Sequence, residues 1–274
     1  MNLVLQKPCF WKIKMKFKKK KSLGQNFLVN PRILDKIVEA ADSEKNDIAL
    51  EIGAGIGNLT EKLAKKFGKV IAIEKDHRLI EPLQKKFQNT NVEIIEGDIL
   101  KLDIGKLFRN SHYKVIGNIP YYITSRFLRT VFEKWPKPEL IVLTIQKEVA
   151  QRIVAKPPKM NLLAVSVQFF AEPEIIAYIS KENFRPRPKV DSAIIKLVPK
   201  SKFYILNSKF FFKVARAGFS QKRKILISNL STKLKLKKEG LTKVFEELGL
   251  SLKIRAENLN LDDWKNLART LKIK

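Results

Sequence analysis

From Asn30 onward the apolar positions of the chain settle into regular periods. Ile33, Leu34, Ile37, Val38 and Ala41 recur at helical spacing, Asn30 can cap the first turn, and Pro31 fits the first helical position. A helix is therefore predicted ahead of the first strand. Short apolar runs then alternate with helical stretches: strands over 48–52, 70–73, 92–95, 115–116 and 140–145, with helices over 59–67, 79–87 and 125–132 between them. Such alternation specifies a mostly parallel sheet with helices on both faces, an α/β fold. Residues 162–170 are ambiguous between helix and strand on periodicity alone, 175–179 and 193–198 are β-like, and Pro199 closes that region. The period then becomes helical, with helices predicted over 209–217, 222–236, 242–248 and 261–271. A domain boundary is placed near residue 200, dividing a main domain (22–199) from a helical unit (200–274) small enough to need support from its neighbour.

Composition adds a partner class. The 274 residues hold 55 Lys or Arg against 27 Asp or Glu, a net charge of +28. At 45% hydrophobic content the chain has enough apolar surface for a core, which excludes a wholly disordered basic tail. Residues 1–21 contribute eight Lys and no acid, and residues 200–274 contribute 19 basic side chains against 6 acidic ones. Two basic ends around an ordinary middle point to a polyanion, because each cation that neutralises a phosphate releases counterions. The first 21 residues lack the Arg and Ser of a transit peptide and read as a flexible basic arm, with Met15 as an alternative start beside the first motif. Cys9 is the single cysteine, and His77 and His112 offer no zinc spacing. A reducing, cytoplasmic compartment and no metal are expected. The longest apolar run is about half of the roughly 20 residues that cross a membrane, so no membrane association is expected.

The chemistry gathers where the strands end. The first strand runs into Glu51-Ile-Gly53-Ala-Gly55-Ile-Gly57-Asn58, a loop whose glycines let backbone approach a ligand closely. The dinucleotide fingerprint wants a glycine at position 58, where this chain has Asn58. The next strand ends in Glu74, whose carboxylate can accept two hydrogen bonds from ribose hydroxyls. The third ends in Glu96-Gly97-Asp98, a second acid at the same edge. A cofactor with a ribose, an adenine amine and a positive charge suits this set, and S-adenosylmethionine is such a molecule. The fourth strand ends in Asn118-Ile-Pro-Tyr121. The Asn118 carboxamide oxygen can accept hydrogen bonds from an adenine amine and favour the tetrahedral nitrogen that attacks a methyl group, and Tyr121 offers a stacking face. Prolines stiffen the loop from Phe184 to Ser192, so Phe184 is expected to sandwich the target base with Tyr121 while Arg185, Arg187 and Lys189 touch phosphates.

These residues carry a family resemblance. Gly24-Gln25-Asn26-Phe27-Leu28, the glycine loop through Thr60, Glu96-Gly97-Asp98, Asn118 to Tyr121, Phe184 to Ala193, Phe219-Ser-Gln-Lys222-Arg223-Lys224 and Arg255-Ala-Glu-Asn-Leu259 resemble, in order, the rRNA adenine dimethyltransferase family. The resemblance implies a Rossmann-like methyltransferase domain with a small all-helical C-terminal domain, and makes 162–170 a helix. It also implies an S-adenosylmethionine site formed by Asn26, Leu28, Gly53, Gly55, Glu74, Asp98 and Asn118, and catalytic roles for Asn118, Tyr121 and Phe184. Arg185, Arg187, Lys189, Lys222, Arg223 and Lys224 are expected to bind RNA. The implied reaction is dimethylation of the exocyclic amines of two adjacent adenosines near the 3′ end of small-subunit rRNA in pre-ribosomal particles, by a monomer. Three features depart from the family pattern: Tyr122 stands where Asn is common, Asn161 where glycine is frequent, and the linker 156–160 is short. Two other function classes are weighed against this one. A noncatalytic RNA-binding assembly or transcription factor would not need Asn118, Tyr121 and Phe184 together. An oxidoreductase is disfavoured by Asn58 and by the lack of a catalytic His or Lys constellation.

Overall fold

Both faces of the central sheet are apolar, which is why its strands read as near-continuous hydrophobic runs. The structure is a computed structural model that describes residues 25–108, 112–200 and 208–273. The arm 1–21, with Met15, and Gly24 lie outside the described residues. In chain order the first elements are β1 (Phe27–Leu28), α1 (Pro31–Ala40), β2 (Ile48–Ile52), α2 (Asn58–Ala64), β3 (Lys69–Glu74), α3 (His77–Lys86) and β4 (Val92–Glu96). There follow α4 (Ile104–Leu107), β5 (Lys114–Asn118), α5 (Thr124–Lys134), β6 (Leu140–Gln146), α6 (Lys147–Ile153), α7 (Leu162–Phe170), β7 (Ala171–Ile179), β8 (Phe184–Arg185) and β9 (Ser192–Pro199). The C-terminal helices are α8 (Ser208–Gly218), α9 (Leu226–Leu234), α10 (Lys238–Glu247) and α11 (Leu261–Ile273).

Seven strands form one sheet in the order β4-β3-β2-β5-β6-β9-β7. The first five are parallel, and β9 runs antiparallel between β6 and β7. Helices α1, α2 and α3 cover one face through Leu34, Ile37, Leu59, Leu63, Leu79 and Leu83. Helices α5, α6 and α7 cover the other through Phe127, Val131, Ile153 and Val167. From β2 the chain winds outward to β3 and β4, then returns to place β5 on the other flank of β2. That reversal is a topological switch point, and ligands of open α/β sheets bind beyond the carboxyl ends of the strands there.

The local signals act as predicted at α1, where Asn30 accepts from the Arg32 amide at 3.0 Å. Residues 162–170 are helical, and Asn161 supplies the cap by accepting from the Leu163 and Ala164 amides, both at 3.1 Å. The helix expected over 222–236 is shorter at both ends. Three adjacent cations at residues 222–224 oppose the positive end of a helix dipole, and Lys235 adopts a left-handed conformation (φ 57°) that ends the helix. Helices α8 to α11 share a hydrophobic cluster with Met160, Ala164 and Val165, so the C-terminal unit leans on α7. Among the described residues no helix is long and apolar enough to cross a membrane.

Candidate active site

The loops after β2, β3, β4 and β5 enclose a cavity of about 270 Å³, near the lower end of the roughly 300–1,000 Å³ common for ligand pockets. Asn26, Gly53, Gly55, Glu74, Asp98, Asn118 and Tyr121 all line it. The glycine loop is shaped by its neighbours as well as by its own freedom. Gly55 has φ +58°, and a Cβ there would come within 2.9 Å of the Phe27 ring.

Glu74 organises the floor. Its Oε2 accepts from the Gly55 amide at 2.8 Å, and its Oε1 accepts from the Lys75 and Asp76 amides at 2.9 and 2.8 Å. A carboxylate has about four acceptor positions, so the three amides leave Oε2 with capacity for one more donor. Burial pushes the Glu74 pKa above the ordinary range, an effect partly offset by the three amides. Asp98 accepts from the Leu100 amide at 3.1 Å and from Lys75 Nζ at 2.9 Å. Burial works against its charge, but the Lys75 ammonium and the Leu100 amide hold its carboxyl below the usual carboxylate range.

At the end of β5, Asn118 Nδ2 donates to the Asn26 carbonyl at 2.8 Å. One of the two amide hydrogens is thereby committed to the protein, which fixes the orientation of the carboxamide and its acceptor Oδ1. Tyr121 follows Pro120 in a short 3-10 turn (Tyr121–Ile123), and its hydroxyl lies 2.7 Å from the Ser192 hydroxyl at the start of β9. Burial raises the phenol's pKa. Asn26 is brought to the site by a pairing that the sequence patterns do not mark: β1 lies antiparallel to β8, with Phe27 opposite Arg185 and Leu28 opposite Phe184. Asn30 Nδ2 donates to Asn183 Oδ1 at 2.7 Å and strengthens the same seam.

One expected site residue lies elsewhere. Phe184 is fully buried and belongs to the hydrophobic cluster with Leu28, Leu34 and Ile194. Its ring gives no face to the cavity, so the expected sandwich with Tyr121 is not the arrangement of this structure. The cause is that β8 pairs with β1 and turns residue 184 inward while exposing Arg185. Leu28 is buried but stays beside the site, lining a small adjoining cavity with Gly53, Gly55 and Asn118, and its carbonyl accepts from Asn58 Nδ2 at 3.0 Å. The side chain that replaces a dinucleotide-type glycine therefore tethers β1 to the glycine loop. Arg185, Arg187 and Lys189 are exposed; Arg187 pairs with Glu182 at 2.6 Å, and Arg185 donates to the Glu182 and Phe184 carbonyls. Lys222, Arg223 and Lys224 form an exposed basic turn between α8 and α9. Sequence reasoning gave no site role to Phe27, Lys75, Tyr122 and Arg126, all of which line the cavity. Phe27 lies within a quoted motif and Lys75 and Tyr122 directly follow Glu74 and Tyr121, which is the signal the sequence offers, whereas Arg126 has none.

Residues 16–272 match the model of a family described as ribosomal RNA adenine dimethylase. The chain belongs to that family. It is 42% identical over 254 residues to the ribosomal RNA small subunit methyltransferase A of Dehalococcoides mccartyi, covering 91% of this chain and 87% of that one. The protein of the same name from Halothermothrix orenii is 41% identical over 270 residues, covering 94% and 90%. A dimethyladenosine transferase from Plasmodium falciparum has a similar structure, with a TM-score of 0.79 at 32% identity over 90% of this chain and 98% of that one. The chain is thus an rRNA adenine dimethyltransferase with a Rossmann-like methyltransferase fold and a helical C-terminal region.

Proposed function

We propose that this enzyme dimethylates the exocyclic amines of two adjacent adenosines near the 3′ end of small-subunit rRNA during ribosome biogenesis, with S-adenosylmethionine as the donor. The observation that carries the reading is the Asn118 amide, fixed to the Asn26 carbonyl at the switch point of the sheet. The donor site fits the residues present: a positive-φ glycine loop, one spare acceptor position on Glu74, and Asp98 beyond the neighbouring strand. When bound, the donor supplies a methyl group activated by a sulfonium. Asn118 Oδ1 accepts a hydrogen bond from the adenine amine, which reduces delocalisation of its lone pair into the ring. The ring of Tyr121 stacks on the everted base, and its bond to Ser192 holds that ring in place. Everting a base costs a few kcal/mol, so an unpaired loop adenosine is the easier substrate.

Residues 22–199 act in this reading as the methyl-transfer unit, and residues 200–274 as an RNA-binding unit. Phosphates meet Arg185, Arg187 and Lys189 beside the cavity and Lys222, Arg223 and Lys224 on the basic turn. The Arg187–Glu182 pair is exposed and worth at most about 1 kcal/mol, so a phosphate can displace it. We place the protein in the cytoplasm as a monomer. The test is to incubate the purified chain with immature small subunits and labelled S-adenosylmethionine, then map the modified nucleotides. Dimethyladenosine at two adjacent positions is expected; no label entering the RNA overturns the reading.

A further inference from the structure

The cavity mouth carries an aromatic side chain that the chemistry above does not use. In a 3-10 turn successive side chains diverge by about 120°. Tyr121 accordingly sends its hydroxyl toward Ser192 and the loop that begins at Phe184, whereas Tyr122 stands out from the wall. Tyr122 is 63% exposed, yet it lines the same cavity as Lys75 and Asp98. The ammonium of Lys75 is tied to Asp98 at 2.9 Å. Tyr122, which follows β5, thus shares the cavity with Lys75, Gly97 and Asp98 from the ends of β3 and β4, the side on which the donor's purine amine would meet Asp98. Leaving an aromatic ring exposed there gains nothing for folding, while a flat ring arriving beneath it would remove apolar surface from water.

We infer that Tyr122 is a cap on the methyl donor, a positioning residue whose ring closes over the purine held between Lys75, Asp98 and Ile123. The inference rests on the proposed use of S-adenosylmethionine and assigns the two adjacent tyrosines to different ligands, Tyr121 to the RNA base and Tyr122 to the donor. The cap retains the donor and excludes water from its adenosine end, and it takes no part in proton or methyl transfer.

Calorimetric titration of the full chain with S-adenosylhomocysteine tests this without RNA or turnover. Loss of one base–aromatic stack corresponds to at least about five-fold weaker binding, and Tyr122→Ala is expected to show it. Tyr122→Phe, which keeps the ring, should stay within about three-fold of wild type. Because the side chain is exposed, the melting temperature of both variants should match wild type. Affinity of each variant for a small-subunit rRNA fragment should also be unchanged. Tyr122→Ala binding S-adenosylhomocysteine as tightly as wild type overturns the cap, as does a loss confined to RNA affinity, which would make the ring an RNA contact. If wild type itself does not bind S-adenosylhomocysteine, the donor assignment falls together with the cap.

Discussion

Asn118 donates through Nδ2 to the Asn26 carbonyl at 2.8 Å, so one side-chain amide joins segments 92 residues apart. Replacing Asn118 by Ala removes both this tie and the acceptor offered to the adenine amine. Loss of a single preorganised polar group at a reacting centre costs about 10²–10³-fold in turnover. Single-turnover methylation of Asn118→Ala should fall by that range. Asn118→Asp should fall comparably, because a carboxylate would face the Asn26 carbonyl without a hydrogen to donate.

Burial of Phe184 predicts a stability defect. Phe184→Ala should lose about 3–5 kcal/mol in urea unfolding, whereas Phe184→Leu should lose less than about 1.5 and keep its methylation activity. A ring that served only to stack a base would show the opposite pattern, with stability intact and methylation lost in both variants.

Glu51 is 1% exposed at the end of β2, and neither carboxylate oxygen has a hydrogen-bond partner among the described residues. Burial pushes its pKa up to about 7 from an unfolded value near 4.5. Between those values the unfolded chain sheds the proton first, so stability falls as pH rises through that window. The full loss above pH 7 is roughly 3 kcal/mol. Glu51→Gln should remove this slope: its stability relative to wild type should rise by about that amount between pH 4.5 and pH 8. A difference that stays flat across the window would contradict a buried, proton-retaining carboxyl.

The basic turn predicts a salt signature. Replacing Lys222, Arg223 and Lys224 with Ala together should lower the slope of log affinity for rRNA against log salt by about 2, given roughly 0.7–0.9 per phosphate contact. Donor affinity should not change, because none of the three lines the cavity.

Much of this protein could be read directly from its residues. Periodicity located β2 at residues 48–52 and placed α1 from its Asn30 cap and Pro31, since these are local choices made within a few residues of each other. The glycine loop, Glu74, Asp98 and Asn118 were also legible as one cluster, because in a parallel α/β sheet every strand delivers its carboxyl end to the same edge. Tertiary structure decided what no local period carries. The two-residue pairing of β1 with β8 joins segments more than 150 residues apart, and it sets which side of the loop faces inward. That single register buries Phe184, exposes Arg185 and brings Asn26 to Asn118, because adjacent residues on a strand point to opposite faces. Likewise, only the turn after Pro120 separates Tyr121 from Tyr122, sending one hydroxyl to Ser192 and leaving the other ring at the cavity mouth.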